Sequence, residues 1–363
     1  MDVPLLKATI PNRRKLFSSF SDIFHKGILA EGEYVYEFER KFSNMFNIDN
    51  VLAVSSGTAA IHMALLLIGV KSEDEIISTA MTAEPTNTAI LQAGALPIFA
   101  DVSPLTGNLD PSSVENSITK KTKAIIVVHY AGYPAKIREI VKIANKHKIP
   151  VIEDCAHALG AKIQNRSVGS FGDFSIFSFQ AIKHITTIDG GMLGMKNKKH
   201  MARAKKMRWF GLTKGKPRHL NRIRELGFKY NMTNMAAAIG LLQLDDFKKN
   251  LEKYIKNGEL FIDQLSASKI VFPSTIGIDE FPSYWFFTGL AENSSEIINK
   301  LNLSNIGASK VHLPNNRHPI FYKSVRNPLP NTEAFYKKLI HLPTGWWVSQ
   351  TQIKKIIRII EKL

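Results

Sequence analysis

Asp154 and His157 are the first side chains whose types and spacing could do chemistry. Asp154 closes the apolar run in VIEDCAHALGA (151–161), and His157 follows three residues later. A carboxylate at the end of a buried strand is costly unless a cation faces it. A protonated pyridine nitrogen is such a cation, and the ion pair would keep its ring an electron sink. A buried Asp–His pair with only a structural role explains the segment equally well.

Lys183 is the second candidate, in VGSFGDFSIFSFQAIKHITTIDGG (168–191), between a predicted strand and an Asp-Gly-Gly turn. Its neighbours on both sides are apolar: Phe177, Phe179, Ile182 and Ile185. An ammonium group among them loses hydration, so its pKa falls, and a neutral amine can form a Schiff base with a carbonyl. Ser178, five residues earlier, could donate a hydrogen bond to a phosphate on the same ligand. The alternative is a solvated lysine on a loop.

SSGT (55–58) is the third candidate, at a predicted turn from strand to helix. Backbone N–H groups at a helix N-terminus carry partial positive charge, and Gly57 lets a phosphate approach them closely. The hydroxyl of Ser56 or Thr58 could add a donor. No GK[ST] follows, so this is not a Walker motif. Taken alone, SSGT is more often an ordinary helix cap.

Short apolar runs alternate with helical stretches through the first two-thirds of the chain, which predicts an α/β fold with a mostly parallel sheet flanked by helices. The predicted strands are VLAVSS (51–56), LPIFADV (96–102), AIIVVHY (124–130), PVIEDC (150–155), FSIFSF (174–179) and GGMLGM (190–195). Ligands bind outside the carboxyl ends of such strands. All three candidate segments lie at such ends.

A long helix is predicted over 234–265, leading into a smaller C-terminal α+β domain. We expect a large cofactor-binding domain over residues 1–245, and the connecting helix with the small domain over 246–363. The last segment begins with a capping-box pattern, Ser349 and Gln352. Its apolar residues fall on one helix face: Ile353, Ile356, Ile357, Ile360 and Leu363.

The chain of 363 residues is basic, with 48 Lys and Arg, 31 Asp and Glu, and a net charge of +17. This balance suits a nucleic-acid or membrane surface, or else a basic enzyme with an anionic substrate. The lysines are scattered and do not alternate with aromatic residues as on an RNA-binding surface. We therefore expect no nucleic-acid partner and no membrane partner.

The single cysteine, Cys155, excludes an internal disulfide framework and a cysteine-rich metal site, and no metal site is predicted. The N-terminus MDVPLLKATIPNRRKLF lacks the apolar core of a secretory signal. The longest apolar runs, such as 64–68, fall short of a membrane span. We expect a cytoplasmic protein.

Together these segments resemble the DegT/StrS sugar aminotransferases, which have the aspartate aminotransferase fold (fold type I). The likeness covers nearly the whole chain. Besides the three candidates it includes GILAEGEYVYEFERKF (27–42), GALPIFADVSPLTGNLDP (94–111), TKAIIVVHYAGYPA (122–135), MRWFGLTK (207–214), LGFKYNMTNMAAAIGLLQL (226–244) and LPNTEAFYKKLIHLP (329–343). The resemblance implies a seven-stranded type of sheet and pyridoxal 5'-phosphate as the cofactor.

The resemblance also implies a role for each site residue. Lys183 holds the cofactor as a Schiff base and later moves protons, Asp154 pairs with the pyridine nitrogen, and His157 lies near the phenolic oxygen. The phosphate is held by Gly57, Thr58 and Ser178. Asn231, in the KYN segment, reaches the phosphate in the neighbouring subunit, which implies a homodimer with shared active sites.

The sequence departs from the family pattern at several positions. Ala83, in MTAEPTNTA, stands where many members place an aromatic side chain over the cofactor ring, so we expect another side chain to cover it. Gln180 replaces a common His or Tyr, and Asp189 replaces the usual Glu. Thr213 and Lys214 follow FGL where Asp-Arg is frequent. These changes concern substrate fit more than cofactor chemistry.

The resemblance implies transamination from L-glutamate to a nucleoside-diphosphate-linked keto sugar, first of all a 4-keto-6-deoxyhexose, for surface polysaccharide or glycoconjugate synthesis. The alternative within the family is a sugar 3-dehydratase, which carries histidine in place of the lysine. Here Lys183 holds that position and His184 follows, so a shift of one residue would reverse the assignment. A catalytically inactive regulatory or nucleic-acid-binding relative is the non-enzymatic alternative.

Overall fold

The computed structural model of the chain describes residues 2–363. Its α-helices are α1 (Arg13–Lys26), α2 (Glu33–Phe46), α3 (Gly57–Ile68), α4 (Glu84–Gln92), α5 (Pro111–Asn116), α6 (Ile137–His147), α7 (Met201–Arg208), α8 (Asn234–Leu265), α9 (Ser294–Leu303), α10 (Pro330–Lys338) and α11 (Gln350–Ile360). Its strands are β1 (Leu52–Val54), β2 (Glu75–Thr79), β3 (Leu96–Ala100), β4 (Thr122–Val128), β5 (Val151–Asp154), β6 (Lys162–Ile163), β7 (Arg166–Ser167), β8 (Phe174–Ser178), β9 (Gly191–Met195), β10 (Phe272–Pro273), β11 (Glu280–Phe281), β12 (Phe287–Leu290) and β13 (Leu339–Leu342).

The largest sheet has seven strands in the order β1-β9-β8-β5-β4-β2-β3. β9 alone runs in the opposite direction to the other six strands, so the predicted mostly parallel sheet is confirmed. Each predicted strand coincides with an observed one apart from its ends. The predictions missed β2, in which Glu75, Ser78 and Thr79 interrupt the apolar pattern although all are buried.

Helices cover both faces of this sheet. One face packs against α2, α6 and α8, with core residues such as Phe38, Ile140 and Phe247. The other packs against α3, α4 and α7, with core residues such as Met63, Ile90 and Met207. α3 is apolar on nearly all sides, as a helix buried between a sheet and other helices must be. No helix within residues 2–363 combines the length and apolar character needed to cross a bilayer.

The C-terminal region, residues 266–363, contains an antiparallel sheet of β10, β12 and β13. The predicted capping box of Ser349 and Gln352 is confirmed, and the apolar face of α11 is buried. α8 spans the predicted range, with Thr233 capping its first turn. Because α8 crosses the predicted boundary at residue 246 without a break and contacts both α2 and α11, the division into two domains stays a prediction.

Buried polar contacts fasten the C-terminal region to the large sheet. The Asn315 side chain donates to the carbonyl of Thr82 at 2.9 Å, and its backbone N–H donates to the carbonyl of Ala80 at 2.8 Å. Arg326 donates two hydrogen bonds to the buried carboxylate of Glu75, at 2.6 and 2.9 Å. Glu75 begins β2, whereas Ala80 and Thr82 follow its end, so the chain between Asn315 and Arg326 is fastened near both ends of this strand.

Asp101, directly after β3, caps α10 from outside that helix. One carboxylate oxygen accepts the N–H of Asn331 at 3.0 Å, and the other accepts the N–H and hydroxyl of Thr332 at 2.8 and 2.7 Å. The first N–H groups of a helix have no intrahelical partner, and a carboxylate both satisfies them and opposes the helix dipole.

Asp101→Ala should lower the free energy of unfolding by about 1–3 kcal/mol, because buried donors in the first turn of α10 lose their acceptor. Asp110→Ala is the matched control, since Asp110 caps α5 through a single hydrogen bond, to the N–H of Ser113 at 2.9 Å. Urea unfolding followed by circular dichroism measures both variants. Equal losses in the two would show that the contact with α10 adds nothing.

Candidate active site

The carboxyl edge of the large sheet opens into a cavity of about 340 Å³, where ligands bind in such sheets. Its lining includes the predicted site residues Gly57, Thr58, Asp154, His157, Ser178 and Lys183. Asn231 is not in the lining, and it lies beside Val54 at the end of β1, where Lys229 donates to its Oδ1 at 2.7 Å. Its role in a neighbouring subunit stays a prediction.

The N-terminus of α3 forms one wall of the cavity. Ser56 is the N-cap, and its hydroxyl accepts the N–H of Ala59 at 3.0 Å. A Cβ added at Gly57 would lie 3.1 Å from the Cβ of Ser178, so glycine lets the start of α3 and the end of β8 approach each other. The helix N-terminus and the Ser178 hydroxyl together suit an anion such as phosphate.

Asp154 lies at the end of β5 and is 3% exposed. Its carboxylate accepts hydrogen bonds from the Thr86 hydroxyl at 2.9 Å and the Ala156 N–H at 3.1 Å. Burial raises the pKa of Asp154, and these hydrogen bonds together with the charge of Lys183 oppose that rise. A cation beside Asp154 would favour its ionised form.

The purely structural acid–histidine pair is formed by the neighbouring residue of β5. His129 Nε2 and Glu153 Oε2 are 3.1 Å apart, and both side chains are fully buried. Glu153 also accepts the N–H groups that shape the glycine turn before β8, those of Gly169, Phe171 and Gly172. His157, by contrast, has a buried Nδ1 without a hydrogen-bond partner in residues 2–363. Asp154 and His157 are thus left to face the cavity.

Lys183 reaches the cavity from the loop after β8. Its side chain is partly exposed because it opens into the cavity, yet burial lowers the pKa of Lys183 to about 7, against the opposing charge of Asp154. The direction of this pKa shift agrees with the desolvation expected from the apolar flanks of Lys183. Near neutral pH a large share of the amine is uncharged and able to attack a carbonyl.

Trp285, just before β12, is a site residue that the sequence analysis missed. Its Nε1 donates to the carbonyl of Ile182 at 3.0 Å, and Lys183 Nζ lies 3.8 Å from the centroid of its ring. The ring also stacks on His157 with centroids 4.1 Å apart. Trp285 therefore holds both the loop and the amine of the lysine in place.

The lining contains further residues that the sequence analysis missed, among them Glu84, Thr86 and His312. Glu84 and Thr86 lie in the first turn of α4, one and three residues after Ala83, so the position of Ala83 was a usable signal. His312 has no local signal, because only the fold of the C-terminal region brings it to the large sheet. Ala83 itself lines the cavity, and the aromatic rings there come from elsewhere: His157, Trp285 and His312.

The other departures from the family pattern fall into two groups. Gln180 and Asp189 line the cavity. Thr213 and Lys214 are not in the lining, and the amine of Lys214 donates to the hydroxyl of Tyr36 at 3.0 Å.

His184, next to Lys183, is buried outside the cavity lining. Its Nε2 lies 3.0 Å from the carbonyl oxygen of Ser283, and its ring packs against Tyr254. Burial lowers the pKa of His184 to about 4. The structure therefore presents the lysine, and not the histidine, to a ligand.

The residues of the cavity fit pyridoxal 5'-phosphate. The start of α3 and Ser178 offer an anion site, Asp154 offers a buried carboxylate for a ring nitrogen, and Lys183 offers an amine for the carbonyl. The Nδ1 atom of His157 is buried and lacks a hydrogen-bond partner among residues 2–363. Because such atoms are rare in folded proteins, it also indicates that a ligand binds in the cavity.

Comparisons with known proteins agree with this geometry. The model of the DegT/DnrJ/EryC1/StrS aminotransferase family matches residues 12–361. GDP-perosamine synthase of Escherichia coli O157:H7 is 35% identical over 326 residues, covering 88% of this chain and 84% of the relative. UDP-4-amino-4,6-dideoxy-N-acetyl-beta-L-altrosamine transaminase of Campylobacter jejuni is 31% identical over 328 residues, covering 87% and 86%. The crystal structure of a sugar aminotransferase from Micromonospora echinospora matches with a TM-score of 0.95 at 26% identity over 99% of both chains.

Lys183→Met should change how the stability of the cofactor-free protein depends on pH. The pKa of Lys183 is about 7 in the folded chain and roughly 10.4 when unfolded. Between these values the unfolded state binds more protons, so Lys183 adds stability as pH rises, by up to about 1.4 kcal/mol per pH unit. The variant should therefore be more stable near pH 7, and its advantage should shrink toward pH 10.

Urea unfolding of the variant and the unchanged protein across this pH range measures the difference. Lys205→Met, on the exposed side of α7, is the control and should differ from the unchanged protein by a constant amount. A constant difference for Lys183→Met as well would mean that the amine is not desolvated.

Proposed function

Because the chain belongs to the DegT/DnrJ/EryC1/StrS aminotransferase family, we propose that it moves an amino group from L-glutamate to a nucleoside-diphosphate-linked keto sugar, for surface polysaccharide or glycoconjugate synthesis. A 4-keto-6-deoxyhexose is the first candidate acceptor. The relatives' names, a GDP-perosamine synthase and a UDP-linked transaminase, support a nucleotide-linked sugar. The observation that carries the proposal is the desolvated amine of Lys183 in one cavity with Asp154.

Pyridoxal 5'-phosphate, the proposed cofactor, supplies an electron sink for the electrons released when an amino acid loses its α-proton. We assign its ring nitrogen to Asp154, its phenolic oxygen to the side of His157, and its carbonyl to Lys183. The phosphate is assigned to Gly57, Thr58 and Ser178.

Lys183 is the proposed catalytic base. With a pKa of about 7, Nζ can take a proton from the α-carbon of the donor and return one to the acceptor carbon, since a base works best near the ambient pH. Trp285 keeps Nζ close to the reacting atoms through its ring and through its bond to Ile182. Glutamate leaves as 2-oxoglutarate, and the keto sugar leaves as an amino sugar.

The two alternative functions have less support. A sugar 3-dehydratase would place a histidine at the reactive position, whereas His184 is turned to the carbonyl of Ser283. An inactive, nucleic-acid-binding relative would have no reason to keep an amine with a lowered pKa beside a buried carboxylate. Both features instead suit an enzyme.

We propose a homodimer with shared active sites as the active unit. Lys183 is the one cation in the lining formed by residues 2–363, beside the acids Glu84, Asp154 and Asp189, whereas the proposed substrates are anions. A second copy would contribute Asn231 and further positive charge. Exposed apolar side chains near the N-terminus and beside Asp189 support a surface for that copy: Ile10, Phe17, Phe24, Ile28, Leu29 and Ile188.

Lys183→Ala should lose the visible absorbance of the lysine-bound cofactor and slow amino transfer by about 10²–10⁴-fold or more, because it lacks the proposed base. Product mass after incubation with L-glutamate and a panel of GDP- and UDP-linked keto sugars measures the activity. Lys205→Ala, on the exposed side of α7, should match the unchanged enzyme. A variant that keeps the absorbance band, or an enzyme that dehydrates the sugar without consuming glutamate, would refute the proposal.

Mixing two inactive variants tests the shared sites. In a dimer of one Lys183→Ala chain and one Asn231→Ala chain, one site combines an intact Lys183 with the partner's intact residue at 231. Random mixing makes half the dimers hybrid, so about a quarter of full activity should return. If Asn231 serves its own chain, mixing restores nothing.

A further inference from the structure

Three non-glycine residues at the rim of the cavity have left-handed backbone conformations. They are Ile188, Tyr284 and Val311, with φ of 72°, 46° and 60°. Each directly precedes a residue that lines the cavity: Asp189, Trp285 and His312. β-Branched and aromatic residues rarely adopt this conformation, and such strain persists mainly where it aims a functional side chain.

Of the three aimed residues, His312 is the one with a buried side-chain atom that lacks a partner among residues 2–363. The Nε1–H of Trp285 already donates a hydrogen bond to the carbonyl of Ile182. The Nε2 of His312 is buried and has no hydrogen-bond partner among residues 2–363. Its ring lies parallel to that of His157, with centroids 5.8 Å apart. The segment is rigid, because Asn315 anchors it to Ala80 and Thr82.

Glu84 lies on the same side of the cavity, in the first turn of α4. Its side chain is 42% exposed and approaches His318 Nε2 at 3.6 Å. It is near enough to His312 for its charge to act on that ring. Burial and the charge of Lys183 lower the pKa of His312, against the opposing effect of Glu84, to about 4. His312 is therefore neutral near pH 7.

A neutral imidazole and a carboxylate determine which ligand groups can bind beside them. The imidazole can donate or accept a hydrogen bond, and the carboxylate only accepts. Glu84 repels the anionic phosphate and carboxylate groups of cofactor and donor, but it accepts readily from hydroxyl groups. The acceptor sugar is the one proposed substrate that presents several neutral hydroxyls.

We propose that Glu84 and His312 form a hydroxyl-binding wall that recognises the sugar ring of the acceptor and takes no part in the reaction with the amino donor. This assignment rests on the proposed function and adds the residues that select the sugar. The two substrates use the same amine of Lys183 in turn, so a variant of the wall should separate them kinetically.

The test follows the two half-reactions of the cofactor-loaded enzyme separately by stopped-flow absorbance, with L-glutamate and then with GDP- or UDP-linked 4-keto-6-deoxyhexoses. His312→Leu should lower kcat/KM for the keto sugar by about 10–100-fold and leave the glutamate half-reaction within about 2-fold. His312→Gln keeps a hydrogen-bonding group and should recover part of the loss. Leu313→Ala, at an exposed position next to the wall, is the control and should change neither half-reaction.

Equal losses in both half-reactions, or no loss with the keto sugar, would overturn the assignment. If His312→Leu does not fold, Glu84→Gln decides, because its half-exposed side chain is not needed for packing and the same split must appear there. An unchanged enzyme that glutamate cannot aminate would instead refute the proposed function, so the two failures are distinguishable.

Discussion

The arrangement of the cavity depends on an amine and a carboxylate that are largely removed from water at one edge of the large sheet. Burial lowers the pKa of Lys183 to about 7 and raises that of Asp154, because it disfavours the charged form of each group. Neighbouring groups offset part of the free-energy cost of burying these two side chains. Hydrogen bonds from Thr86 and Ala156 hold the carboxylate, and the Trp285 ring holds the amine. Parallel pairing of β5 with β8 keeps the two groups at the same edge.

The molecule as a whole is positively charged, whereas the lining of the cavity is rich in carboxylates. The chain carries a net charge of +17, yet the lining of the cavity holds three carboxylates and, besides two histidines, a single lysine. A basic exterior attracts anionic substrates over long range, while the N-terminus of α3 can hold a phosphate without a cationic side chain. Inside, the single amine of Lys183 is therefore free for chemistry and is not occupied by an ion pair with a phosphate.

Local signals in the sequence were enough to bring several of the proposed site residues to one edge of the predicted sheet. Asp154, Ser178 and Lys183 could be predicted because strand ends and apolar flanks are visible within a few residues. The range of α8, residues 234–265, was also predicted from the sequence. Trp285 and His312 were not predictable, because long-range packing and left-handed backbone at non-glycine residues bring them to the site. β2 was missed because the partner of its buried Glu75, Arg326, lies far along the chain.

The strained rim has a consequence for engineering. Glycine adopts a left-handed backbone without steric cost, so replacing Ile188, whose side chain is exposed, would release about 1–3 kcal/mol, less the added entropy of a glycine in the unfolded chain. Tyr284 is buried, and the packing lost on its replacement by glycine would outweigh the relief of strain. The change at Ile188 would let the following side chain sample more orientations. For the proposed sugar acceptor, a stabilising change at Ile188 would therefore loosen the side chain of Asp189 in the lining and broaden the range of sugars that fit.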